Sequence, residues 1–309
     1  MTLSESETYT HPMITRRLFL AALSLTVCTL AWTDTLVAQA IQRSMYVSVL
    51  NQAGEPVPDL GPTDFVIRED NIAREVLNVG PADEPMQIAV LVDTSQAARD
   101  DIAHMRTALP PFVAALTAGR SQVALIAIGE RPTVFADYTT NPANLKKGID
   151  RLWSIRDTGA YLLDGIIEVC QGFKKREAGR PVIVSITTEG PELSNAHHDQ
   201  VLEPLRASGA AFHAITLGRP SASLSDEVRE RNMVLDQGPK ATGGRRKDLL
   251  TSMALADDLM KLANELTHQY RVTYARPQSL IPPERVTVAA AKPGLTARGT
   301  VIKEQQGRP

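Results

Sequence analysis

Asp93 and Ser95 are the side chains of this sequence best placed to do chemistry. They stand directly after an unbroken apolar run, residues 88–92, inside the stretch MQIAVLVDTSQA. An apolar run without alternation suits a strand buried on both faces of a parallel sheet. A carboxylate and a hydroxyl just past its end then lie at the carboxyl edge, where open α/β sheets hold their ligands. Both groups can also accept backbone N–H bonds there and cap the next helix. A second oxygen-bearing strand end, Thr187-Thr188-Glu189-Gly190, follows the buried run 181–186, and His197-His198-Asp199 comes soon after. Glu189 with His197 and His198 has the residue types of a metal-dependent hydrolase. Adjacent histidines on a helix point in different directions, however, and Asp199 suits a first helical turn. The segment therefore reads as a solvated helix start. His104, His213 and His268 fall on a helix, a strand and a helix end, and read as structural. The sequence holds no Gly-x-Ser-x-Gly elbow, phosphate loop or paired-cysteine motif.

The rest of the chain supplies the elements that position these groups. Ile102, Met105, Leu109, Phe112, Val113 and Leu116 recur at helical spacing, and Pro110-Pro111 should break or restart that helix. Residues 122–128 form a second buried strand and 133–138 a more polar edge strand. Asn141-Pro142 is a cap followed by proline, a helix start. Residues 154–160 read as a loop, 161–171 as a helix, 199–208 as a helix and 211–217 as a fourth strand. Strands separated by helices of this length imply βαβ crossovers and a mainly parallel sheet. A helix at 226–235 follows, then Arg245-Arg246-Lys247 as a solvated turn, and a long amphipathic helix at 249–268 with Asp257-Asp258 on its solvated face. Short β segments flank this unit, at 45–50, 64–70 and 74–79 before it and at 269–275, 285–290 and 296–302 after it. Neither set can cover its own apolar face, so the two are expected to pair. The expected fold is α/β, a doubly wound, mainly parallel sheet inserted between N- and C-terminal β segments that pair as a small β domain. The expected division is 1–40, 41–82, 83–245 and 246–309.

A net charge of −2 gives no electrostatic case for nucleic acid or an anionic membrane. Hydrophobic residues, 43% of 309, provide ample core. Residues 1–40 read as an export signal: Arg16-Arg17 precede the apolar stretch 18–32, and Ala38-Gln39-Ala40 offers the small residues that signal peptidase requires. The stretch is shorter than the roughly 20 apolar residues of a membrane span. Thr15-Arg16-Arg17-Leu18-Phe19-Leu20 resembles a twin-arginine signal, whereas Leu25-Thr26-Val27-Cys28 fits a lipoprotein box poorly. The mature chain is expected to begin near Ile41, periplasmic or extracellular, without a lipid anchor or membrane span. Cys170 would then be its single thiol, with no base at helical spacing, and reads as a small buried hydrophobe.

The βαβ order with Asp93-x-Ser95 after the first strand resembles the von Willebrand factor type A (vWA) fold. The stretch 49–69, VLNQAGEPVPDLGPTDFVIRE, together with Thr242-Gly243-Gly244 and Leu262-Ala263-Asn264-Glu265-Leu266, is similar to secreted bacterial vWA-related proteins. The resemblance implies a metal-ion-dependent adhesion site: Asp-x-Ser-x-Ser, a Thr on a second loop, and the Asp of a Thr-Asp-Gly. There Mg²⁺, which demands a near-octahedral oxygen shell, is completed by an acidic side chain of a partner. In this sequence Ala97 replaces the second Ser, Ala160 stands where the Thr belongs with Thr158 two residues away, and Glu189 replaces the Asp. Asp93, Ser95, Thr158 and Glu189 are the ligands left to a degenerate site. The resemblance thus implies an exported, non-enzymatic protein-binding module working largely without a metal, with Mg²⁺-dependent binding through Asp93, Ser95 and Glu189 as the alternative.

Overall fold

The computed structural model describes residues 40–219, 225–278 and 281–303. The expected export signal, with Cys28, lies outside the described residues up to Ala40. The first described elements are β1 (Ala40–Leu50), β2 (Phe65–Glu69), β3 (Ile72–Arg74) and β4 (Val76–Pro81). A linker through Pro85 leads to β5 (Gln87–Val92), then α1 (Ile102–Ala118), β6 (Gln122–Ala127), β7 (Thr133–Thr139), α2 (Pro142–Asp150) and α3 (Leu162–Lys175). β8 (Pro181–Thr188), α4 (His198–Ser208), β9 (Ala211–Leu217), α5 (Asp226–Thr242), β10 (Arg246–Leu249) and α6 (Leu255–Thr267) complete the α/β unit. β11 (Tyr270–Pro277), β12 (Val286–Ala290) and β13 (Thr296–Val301) close the described chain.

The central sheet has the order β10-β9-β8-β5-β6-β7, parallel except for β7 at one edge. Its middle strands lack polar alternation because both faces are covered. Ile88, Val90 and Val92 point into a core shared with Met105, Leu109 and Phe112 of α1 and Leu262 of α6. Ala89 and Leu91 point into the opposite core, with Leu163 and Ile166 of α3, Leu205 of α4 and Val234 of α5. Full burial of each large aliphatic side chain contributes about 1.5–3 kcal/mol, so β5 anchors both layers.

The flanking β segments pair as expected. β1 lies antiparallel to β13, β4 to β11, and β2 to β12. The orders β13-β1-β11-β4 and β12-β2-β3 make two sheets. Met45, Val47, Phe65, Ile67, Val272 and Tyr274 fill one core between them. β1, β2 and β4 each pair with a strand from beyond residue 269, and β3 extends the second sheet from β2.

Four local expectations fail to packing or pairing partners. α1 runs unbroken through Pro110 and Pro111. Its buried face, from Ile102 through Leu116, outweighs the two missing N–H bonds. The expected helix at 249–268 begins only at Leu255, because Arg246–Leu249 instead pairs in parallel with β9 as an edge strand. Four residues are too few to show a strand period. Arg245 is accordingly no solvated turn residue: it donates to the Asp258 carboxylate at 2.9 Å, and Asp258 is buried while Asp257 is exposed.

Candidate functional site

β5 is the first strand of the α/β unit yet lies between β6 and β8, so the chain builds outward on both sides of it. The crevice at its carboxyl end is the switch point where such sheets hold ligands. Three loops meet there, after β5, before α3 and after β8.

Asp93, Thr94 and Ser95 are each 1% exposed. Asp93 Oδ1 accepts the Ser95 N–H at 2.8 Å, and Oδ2 accepts both the backbone N–H (3.0 Å) and the hydroxyl (2.6 Å) of Thr188. The carboxylate therefore clamps the end of β5 to the end of β8. Asp93 closes its own loop on the Ser95 N–H and bonds no N–H inside the following helical turn. Ser95 does not cap: its Oγ makes no cap bond and is buried without a partner. Thr94 Oγ1 accepts the Gly129 N–H at 3.1 Å. A Cβ on Gly129 would lie 2.2 Å from the Thr94 carbonyl carbon, so only glycine lets the end of β6 approach this loop.

The second loop is tied to the first through its backbone. Ile155 N–H donates to Thr94 O at 2.8 Å, and Asp157 N–H to Gln96 Oε1 at 2.6 Å. Thr158 is half-buried, and its hydroxyl donates to Ile155 O at 3.0 Å, within its own loop. Ala160 is buried and contributes only main chain, bridging to Glu192 of the third loop.

Glu189 on the third loop faces Arg231 of α5, with Arg231 Nη2 donating to Glu189 Oε2 at 3.0 Å. Ala97 packs on the same loop, where a Cβ on Gly190 would meet the Ala97 Cβ at 2.4 Å. His197 and His198 sit against Glu230: His198 Nδ1 lies 2.7 Å from Glu230 Oε2 and His197 Nδ1 3.8 Å from Oε1. Among the described residues no group of three or more His, Cys, Asp or Glu is arranged to hold a metal ion. His213 is fully buried in β9, where desolvation pushes its ring down to about 4 and keeps it neutral. Cys170 is buried, and burial pushes its thiol up to about 11.

Two residues at this edge escaped sequence reasoning. Arg231 is completely buried. Its signal was present: it falls on the apolar face of α5 set by Val228, Val234 and Leu235. Glu192 is 2% exposed; its Oε1 accepts the Leu162 N–H at 3.1 Å and the Ser194 N–H at 3.3 Å, while Oε2 is buried without a partner. Burial pushes this carboxyl up to about 7, against the opposing pull of Ser194 and the Arg231 charge. A glutamate in a loop carries no periodic signal of burial.

Neither a protein-family model nor a curated protein sequence matches the chain. Solved structures do resemble it. One is a von Willebrand factor type A protein from Catenulispora acidiphila, 11% identical over 86% of this chain and 73% of that one, with a TM-score of 0.47. Another is the vWF domain of the type V pili tip protein Mfa5 from Porphyromonas gingivalis, 11% identical over 59% of this chain and 95% of that one, with a TM-score of 0.46. Both are vWA folds. A third is the conserved hypothetical protein BatB from Bacteroides thetaiotaomicron, 15% identical over 59% of this chain and 99% of that one, with a TM-score of 0.44. The likeness is one of fold, at low sequence identity. Among the described residues no helix is long and apolar enough to cross a membrane.

Proposed function

We propose that the chain is an exported, non-enzymatic binding module that presents the carboxyl edge of its central sheet to a protein partner without needing a divalent cation. One observation carries the reading: both oxygens of the Asp93 carboxylate already accept protein donors, the Ser95 N–H and the N–H and hydroxyl of Thr188. Mg²⁺ takes near-octahedral oxygen ligands and dehydrates reluctantly, so donors already seated on both oxygens of this carboxylate compete with it. Ala97 and Ala160 add no side-chain oxygen, and the Thr158 hydroxyl is engaged within its own loop. This donor set does not fit the ion. A catalytic reading finds less support: no base is hydrogen-bonded to Ser95 Oγ, and the histidines that a hydrolase would pair with Glu189 sit on Glu230.

The Mg²⁺-dependent alternative through Asp93, Ser95 and Glu189 rests on one feature, the buried Ser95 Oγ that has no protein partner. Pull-down from periplasmic extract in Mg²⁺ and in chelator separates the two. The metal-free reading expects the same protein captured in both; capture only with Mg²⁺, lost on Asp93→Ala, would favour the alternative. N-terminal sequencing of secreted protein tests export, with Ile41 the expected first residue and Met1 the refuting one.

A further inference from the structure

α5 is a polar helix with one fully buried charge. Burying a guanidinium is costly unless every donor finds an acceptor. Arg231 meets that demand completely. Nε and Nη2 each donate to Asn232 Oδ1 at 3.3 Å, Nη1 donates to Gly190 O at 2.9 Å and Thr188 O at 3.4 Å, and Nη2 donates to Glu189 Oε2 at 3.0 Å. All five N–H groups are used, and every acceptor is an oxygen. A carboxylate, two main-chain carbonyls and an amide oxygen form the kind of shell that hard cations select. This shell is built on Thr188-Glu189-Gly190, the loop that Asp93 grips from its other side through Thr188.

We propose that the Arg231 guanidinium is the resident cation of this sheet edge: it neutralises Glu189 and fixes the third loop, the two tasks that a bound divalent ion would otherwise perform. The proposal rests on the metal-free reading above and extends it. Arg231 is a positioning residue. Because it is buried, it offers no open coordination position to an acidic side chain of a partner. Recognition at this edge therefore does not run through a partner carboxylate bound to a cation.

The test removes the built-in charge and asks whether an ion takes its place. Thermal unfolding of the purified protein is followed in EDTA and in millimolar Mg²⁺, Mn²⁺ and Ca²⁺, for wild type, Arg231→Ala and Arg231→Ala/Glu189→Gln. Wild type is expected to show the same midpoint throughout. Arg231→Ala is expected to be destabilised in EDTA and to gain a saturable rise of roughly 5 °C or more once the cation exceeds its Kd a hundredfold. The double variant, lacking the carboxylate, is expected to lose that response. A purely structural arginine would give destabilisation without any cation response. If Arg231→Ala does not fold in EDTA, refolding in Ca²⁺ is the same test: recovery supports the proposal, and no recovery overturns it. A wild type stabilised by Mg²⁺ overturns the metal-free reading and the proposal together. A wild type blind to metal with a folded, equally blind Arg231→Ala overturns the proposal alone.

Discussion

Glu192 makes stability at this edge depend on pH in a direction opposite to most carboxylates. It is buried, one oxygen holds the first N–H of α3, and the other has no partner. Burial raises its pKa from 4.5 to about 7 in the folded chain. The folded state therefore holds a proton that the unfolded chain releases between pH 4.5 and 7. Over that window stability falls as pH rises, by about 1.4 kcal/mol per pH unit for this one group. The accumulated loss is about 3 kcal/mol, absent below pH 4.5 and complete above pH 7. Glu192→Gln keeps an acceptor for the Leu162 N–H and cannot ionise. Urea unfolding of both proteins at pH 4.5, 5.5, 6.5 and 7.5 isolates the term, because all other titrating groups cancel in the difference. The variant is expected to gain on wild type steadily across this range. Parallel curves would refute the reasoning. A variant that loses ground as pH rises would show that the ionised carboxylate is the stabilised form.

Other expectations follow from the same contacts. Asp93→Ala strands three buried donors and is expected to cost about 3 kcal/mol or more even in EDTA, read from the urea midpoint; a loss seen only with Mg²⁺ present would contradict the clamp. Gly190→Ala forces a Cβ against Ala97 at 2.4 Å and is expected to cost about 1–3 kcal/mol, with partial recovery in Gly190→Ala/Ala97→Gly. Cys170 is expected to resist a thiol reagent at pH 8 in the native protein and to react on unfolding, since burial holds its pKa near 11; fast native labelling would contradict its burial. Truncation after His268 removes β11, β12 and β13, so β1 loses both neighbours and β2 keeps only β3; amides of Met45–Val49 and Val66–Glu69 are expected to lose hydrogen-exchange protection, and full protection would sink the pairing.

The sequence exposes the central sheet because burial on both faces leaves an unmistakable mark: residues 88–92 and 181–186 could hardly be anything but doubly covered strands. The interleaved β segments were legible for a different reason, that three short strands on each side of the α/β unit had no other cover. What stayed hidden has a common physical cause. β10 is held in place by the open edge of β9 rather than by its own pattern, and the prolines of α1 are tolerated because packing on one face exceeds the loss of two bonds. Both outcomes are decided by partners distant in sequence. The same holds at the site. Asp93 and Glu189 were found from their positions after strands, but what they bind was not. Their partners are a threonine from another strand and an arginine from a helix 42 residues further on. A carboxylate at a strand end is thus only half a statement about chemistry. The other half is which donor reaches it first, and here donors from within the chain do.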